Sequence, residues 1–152
     1  MSFEIVEVPK VTRLKAEWRV LFDGYNTFYK REPADRVAEA VWGWINDPAH
    51  EVEGVLALLD GTSVGLAHFR RQPRPGLGED MGYLDDLFVD PQVRGQAVGR
   101  RLLAHVAEVG RQRGWGVVRW TTADDNYRAR GLYDQVAKKT SWNLYEMTIP
   151  DA

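Results

Sequence analysis

The chain contains no cysteine, which rules out disulfides, a thiol nucleophile and a cysteine-ligated zinc site. It also lacks charge of one sign. Its 20 Lys+Arg and 22 Asp+Glu leave a net charge of −2, too balanced for a nucleic-acid binder that relies on a global positive field. Long apolar runs are missing too. VLALL falls far short of the roughly 20 apolar residues that a membrane helix needs, so no nucleic acid and no membrane is expected as a partner. The start, MSFEIVEVPK, has no basic segment followed by an apolar run, and a cytoplasmic protein is the expectation. His50, His68 and His105 make no metal-ligand pattern and H-E-x-x-H does not occur, so no metal is expected.

What is present points to a globular protein. With 152 residues, 44% of them hydrophobic, and six Trp, six Tyr and five Phe, the chain reads as one domain over residues 1–152 with a sizeable core. FEIVEV alternates apolar and polar residues as a strand does. Leu14, Trp18, Leu21, Phe22 and Tyr25 recur at helical spacing, and a second helix is predicted from Pro33 to Ile45. Residues 52–70 read as a hairpin turned at Asp60-Gly61, residues 71–80 as a loop, and MGYLDDLFV as a strand. Val98, Leu102, Val106 and Val109 mark one face of a helix ending near Gly114. WGVVRWTT is predicted as a strand, DDNYRARGLYDQVAKK as a short helix capped around Asp124 to Asn126, and WNLYEMTI as a closing strand. The fold class is therefore α/β (α+β): a mixed sheet flanked by helices, in the order β-α-α-β-β-β-α-β-α-β.

The stretch DPQVRGQAVGRRLL sits between a strand and a strongly patterned helix. The first amides of a helix lack intrahelical partners, and the helix dipole adds partial positive charge there. Gly95 and Gly99 let a phosphate approach the backbone closely, while Arg94, Arg100 and Arg101 supply charge-assisted contacts. It is neither a Walker loop nor G-x-G-x-x-G, and a plain connecting turn is the alternative. Arg94, Arg100, Arg101, Arg111 and Arg113 follow directly on Asp85, Asp86 and Asp90. A positive site beside a negative one suits an anionic cofactor and a cationic substrate, and ordinary surface charge gives the same pattern.

YLDDLFVDPQVRGQAVGRRLL closely resembles the central motif of the GNAT superfamily of N-acetyltransferases, [R/Q]-x-x-G-x-[G/A] after an apolar strand. Arg94 fills the first place, Ala97 the fourth, where Gly is usual, and Gly99 the sixth. The likeness continues through TTADDNYRARGLYDQVA, and LYDQVAKKTSW is similar to the subgroup of histone and other protein or amino-acid acetyltransferases. The resemblance implies acetyl-CoA as cosubstrate, with its pyrophosphate on the amides of Arg94, Gly95, Gln96, Ala97, Val98, Gly99 and Arg100. It implies a pantetheine arm along Leu87, Phe88 and Val89, on the first of two splayed parallel strands, YLDDLFV and VVRWTT. Asn126 matches the family position that contacts that arm, and a simple helix cap is its other reading.

Acetyl transfer needs a neutral amine, and freeing a lysine-like amine of its proton at pH 7 takes on the order of 4–5 kcal/mol. By the match to related diamine acetyltransferases, Asp85 is the expected base, through water, with Asp86 second. In a regular strand the two point to opposite faces, and pairing with an arginine is the structural alternative. Tyr133 matches the family's general acid, which protonates the departing thiolate. Without cysteine, the amine attacks the thioester directly in a ternary complex.

The acceptor is expected to be a primary amine of a small molecule or of a protein. Asp23, Glu32, Asp85 and Asp86 lean toward a cationic one, and Phe22, Tyr25, Phe28 and Tyr29 either line its pocket or pack the first helix on the sheet. Family members often dimerise, and SWNLYEMTI is a candidate edge for a homodimer. Two rival functions remain at this point: a non-catalytic acyl-CoA-binding regulatory module, and an arginine-rich scaffold that binds no coenzyme.

Overall fold

The structure is a computed structural model that describes residues 2–93 and 95–151. The chain divides into two compact units, residues 1–121 and 122–152. The first holds β1 (Phe3–Glu7), α1 (Lys15–Phe28), α2 (Asp35–Asn46), β2 (Val52–Leu59), β3 (Thr62–Arg74), β4 (Glu79–Val89), α3 (Val98–Arg113) and β5 (Val118–Arg119); the second holds α4 (Tyr127–Val136). The five strands form one sheet in the order β1-β2-β3-β4-β5. The first four pair antiparallel and β5 joins β4 in parallel.

Side-chain parity sorts the helices onto two faces. Trp18 and Phe22 of α1 pack against His68 of β3, and Ile45 of α2 lies over Gly54 of β2, the cross-strand partner of His68. Their face carries a core of Val8, Leu14, Trp18, Phe22, Ala38, Leu56 and Leu66. Its centre is Trp18, fully buried and stacked on Phe22 at 4.9 Å; truncation to Ala there removes on the order of 3–5 kcal/mol. On the opposite face, α3 sits so close to β3 that a Cβ on Gly65 would be 3.0 Å from Val98 and 3.1 Å from Leu102.

Sequence expectations and structure meet in most elements. The hairpin turns at Asp60-Gly61 with φ of +50° and +81°, the pair of left-handed residues that a type I′ turn demands. Gly114 closes α3 in the left-handed region, and the Trp115 amide returns to the Gly110 carbonyl at 2.8 Å. Two expectations are corrected. Residues 71–80 are mostly ladder rather than loop: Arg71 pairs with Gly82 and Arg74 with Glu79, helped by an Arg71–Asp80 ion pair of 2.8 Å. An antiparallel ladder satisfies backbone groups whatever the side chains, so polarity alone does not end a strand. Residues 142–149 form no strand; Trp142, Leu144, Tyr145, Met147 and Ile149 are 73–87% exposed. Alternation of apolar residues makes a strand only where a second strand supplies the ladder.

Candidate active site

The Asp85-Asp86 doublet is where β4 departs from regular geometry. His68 pairs with Asp86 and Phe69 with Leu84, which leaves Asp85 as the extra residue of a β-bulge. This overturns the expectation that the two carboxylates point to opposite faces. Asp86 Oδ2 lies 2.8 Å from His68 Nδ1, and Asp85 Oδ2 lies 3.0 Å from Arg70 Nε. His68 and Arg70 are two residues apart on β3 and so share a face. Both acids therefore reach toward the α1 side of the sheet, and the pairing of Asp85 with an arginine is realised as well.

Their surroundings push them apart. Burial is the largest influence on Asp85 and raises its carboxyl above the ordinary value, although Arg70 works against it. Burial acts on Asp86 in the same sense, but His68, the Tyr25 hydroxyl and Arg31 together outweigh it, and that carboxyl ends below its ordinary value. Tyr25 is itself held protonated, chiefly by burial and then by the neighbouring Asp86. Its hydroxyl also donates to the Asp85 carbonyl at 3.3 Å. Arg70, besides its ion pair, lies 4.9 Å from the Tyr83 ring. Of the aromatics expected to line a pocket or pack the first helix, Phe22 and Tyr25 are buried packing residues, Tyr29, just past α1, is half-buried and Phe28 is largely exposed.

β4 and β5 form a fork. They pair only at Gly82–Val118 and Tyr83–Arg119. Among the described residues, no strand continues along that edge beside Leu87, Phe88 and Val89, so the backbone groups that β4 turns toward it have no ladder partner. At the fork Trp115 packs closely on Gly82 of β4 and on Gly110 of α3.

The chain leaves β4 through a turn at Asp90, whose carboxylate accepts from the Gln92 amide at 2.9 Å, and enters α3. Gly95 has φ of +72°, and nothing lies within 4 Å of the position a Cβ would take there. Ala97, the N-cap, is left-handed at φ 52°, ψ 38°, the conformation that its usual glycine adopts without strain and that an alanine reaches at about 1–2 kcal/mol. No side chain caps the helix. An open turn at Gly95 thus meets the uncapped first amides of α3 at the positive end of its dipole, a setting that suits an anion such as a diphosphate. Arg94, expected to lead this motif, lies outside the described residues.

In the second unit, Asn126 is the N-cap of α4, its Oδ1 accepting from the Ala129 amide at 3.4 Å and its Nδ2 donating to Thr122 Oγ1 at 3.0 Å. The capping reading of Asn126 is thereby realised. Tyr133 follows seven residues on, two turns along the same helix face, and is half-buried. Reading the sequence by itself missed the polar roles of Trp18 and Arg70. The available signal was two consecutive acids within an apolar strand, since a regular strand on a covered sheet has no place for both.

Among the described residues no cluster of His, Asp and Glu is arranged to hold a metal ion, and no helix is long and apolar enough to cross a membrane. The acetyltransferase (GNAT) family profile matches residues 16–137. The D-amino-acid N-acetyltransferase HPA3 of Saccharomyces cerevisiae is 32% identical over 131 residues, 85% of this chain and 81% of that protein. The thialysine N-epsilon-acetyltransferase of Bos taurus is 41% identical over 51 residues, 34% of this chain and 30% of that one. A ribosomal-protein-alanine N-acetyltransferase from Brucella melitensis superposes with a TM-score of 0.80 at 21% identity, covering 98% of this chain and 100% of that one, a likeness of fold. With a profile that spans most of the chain, a forked sheet and an uncapped glycine turn, the chain belongs to the acetyltransferase (GNAT) family, whose reaction is transfer of an acetyl group from acetyl-CoA to an amine.

Proposed function

We propose that the chain acetylates the amine of a small, amino-acid-like or lysine-like molecule, with the side-chain amine of a protein lysine as the alternative acceptor. The activities for which the yeast and bovine relatives are named support the small acceptor, and two carboxylates on one face support a cationic one. In this reading the diphosphate of acetyl-CoA rests on the amides from Arg94 to Arg100. The pantetheine arm extends the sheet along Leu87, Phe88 and Val89. The single observation that carries the reading is the β4 edge, left open by the fork and leading into an uncapped turn.

The chemistry follows from the difference between the two acids. Asp86, held low, stays an anion and receives the ammonium of the acceptor. Asp85, raised by burial, is the better proton acceptor and takes the ammonium proton through water. The free amine then attacks the thioester carbonyl. The C–N bond forms, the C–S bond breaks as the tetrahedral intermediate collapses, and Tyr133 gives its phenolic proton to the thiolate, to be reprotonated from solvent. A β4 amide that stabilises the oxyanion is worth roughly 3–4 kcal/mol.

An amine panel that follows thiol release from acetyl-CoA tests the reading, with turnover of amino acids or lysine analogues expected. Tyr133→Phe should lower kcat and leave the KM for acetyl-CoA in place; unchanged turnover removes Tyr133 from the mechanism. Asp85→Asn should lower kcat/KM at neutral pH by about 10²–10⁴-fold. The deficit should shrink as the pH approaches the amine's own value near 10.4; a constant deficit would remove Asp85 as base. We also place the enzyme in the cytoplasm with its cosubstrate, as a homodimer in which the exposed apolar residues of 142–149 are covered; a monomer by sedimentation would overturn the latter.

A further inference from the structure

His68 is fully buried in the core beside α1, yet it belongs to the polar group on the β4 bulge. Its Nε2 lies 3.0 Å from Trp18 Nε1 and its Nδ1 lies 2.8 Å from Asp86 Oδ2. An indole N–H donates and cannot accept. Nε2 is therefore the accepting nitrogen, and the single proton of the neutral ring sits on Nδ1, where it donates to the carboxylate. A second proton on Nε2 would have to displace the Trp18 donor inside a packed aromatic cluster, since Trp18 stacks on Phe22 at 4.9 Å and touches Trp42 at 5.0 Å.

We infer that His68 is a positioning residue: a neutral imidazole locked by Trp18 into the Nδ1–H tautomer, holding the Asp86 carboxylate fixed and ionised so that it docks the acceptor's ammonium beside Asp85. The docking role rests on the reading above, in which the bulge faces the acceptor; the tautomer lock rests on the Trp18–His68–Asp86 geometry alone. If His68 carried a second proton, its positive charge would cancel that of Asp86 and the site would lose its attraction for a cation. Trp18 keeps the charge uncancelled. The other groups facing Asp86 are the Tyr25 hydroxyl from α1, Arg31 just beyond that helix, and Asp85 with its Arg70 partner from the sheet. None of these neighbours fixes the imidazole.

Two variants and one spectrum test the lock. In protein with ¹⁵N-labelled histidine, the His68 ring, assigned by its loss in His68→Asn, should show a protonated Nδ1 and a bare Nε2 across neutral pH. Trp18→Phe keeps an aromatic ring in the stack and removes the donor, so the Nε2 resonance should move to the position of a nitrogen that accepts no hydrogen bond. The KM for the amine should then rise, with the KM for acetyl-CoA unmoved. His68→Leu should raise the amine KM about 10- to 100-fold, the loss of one charge-assisted contact. His68→Asn, whose Nδ2 falls near the imidazole Nδ1, should recover most of it. A bare Nδ1 or an imidazolium in the native protein overturns the lock, and so does a Trp18→Phe ring whose Nε2 resonance stays in place. Equal defects in the Leu and Asn variants overturn the docking role. A correct tautomer in a protein that acetylates no amine would instead overturn the proposed function, and the docking role with it, and leave the lock standing.

Discussion

Gly82→Ala is the substitution whose consequence can be worked most directly from the geometry. Gly82 sits at the fork, where it pairs with Val118 and its amide donates to the Val117 carbonyl at 3.0 Å. A Cβ there would stand 2.5 Å and 2.7 Å from two carbons of the Trp115 indole and 3.1 Å from a Val118 methyl. Unstrained carbon contacts lie near 3.5–4.0 Å, so the ring must retreat by about 1 Å. The ring also packs closely on α3, where a Cβ built on Gly110 would lie 3.1 Å from the same ring carbon. Overpacking of this kind costs about 1–3 kcal/mol, and for a chain of this size each kcal/mol lowers Tm by roughly 2–4 °C. Thermal unfolding should therefore show Gly82→Ala melting some 2–12 °C below the native protein. Trp115→Leu should destabilise by loss of burial. The double variant should be more stable than the sum of the two losses predicts, because the leucine vacates the space the methyl needs. Strict additivity, or a Gly82→Ala protein with unchanged Tm, would refute the wedge.

Other outcomes follow from the same structure. Ala97→Gly should relieve the left-handed strain, offset in part by glycine's entropy; a net gain of about 0.5–1 kcal/mol is expected by denaturant titration, with the KM for acetyl-CoA no worse. Asp86→Asn should show its stability deficit at neutral pH. The native Asp86 carboxyl holds its proton less tightly than the unfolded one, so its contribution is complete above about pH 4 and drains away as the pH falls through the lower native value. The two unfolding curves should converge in acid, and a gap that persists there would contradict the assignment. Glu108 and Arg111 make a 2.6 Å ion pair on the outer face of α3. Water screens a pair this exposed, so Glu108→Gln should leave Tm unchanged within the error of calorimetry.

Several features were legible in the chain because their causes are local. Spacing placed Leu14, Trp18, Phe22 and Tyr25 on one stripe, and all four are buried. Asp60-Gly61 specified its turn, Gly114 its helix end, and Asn126 its cap, since each depends on the φ/ψ or hydrogen bonding of a few neighbouring residues. The glycine turn at Gly95 ahead of a helix was legible in the same way. The tertiary structure decided what depends on a partner far along the chain. Whether Arg71 to Arg74 extend a strand was fixed by residues 79–82 across the ladder. The apolar alternation of 142–149 gained no such partner and formed no strand. Most of all, the register of β3 against β4 turned Asp85 into a bulge and set both acids on one face, one on His68 and the other on Arg70. A single residue of slip would have sent them to opposite sides, and register is a property of two strands that neither sequence segment contains.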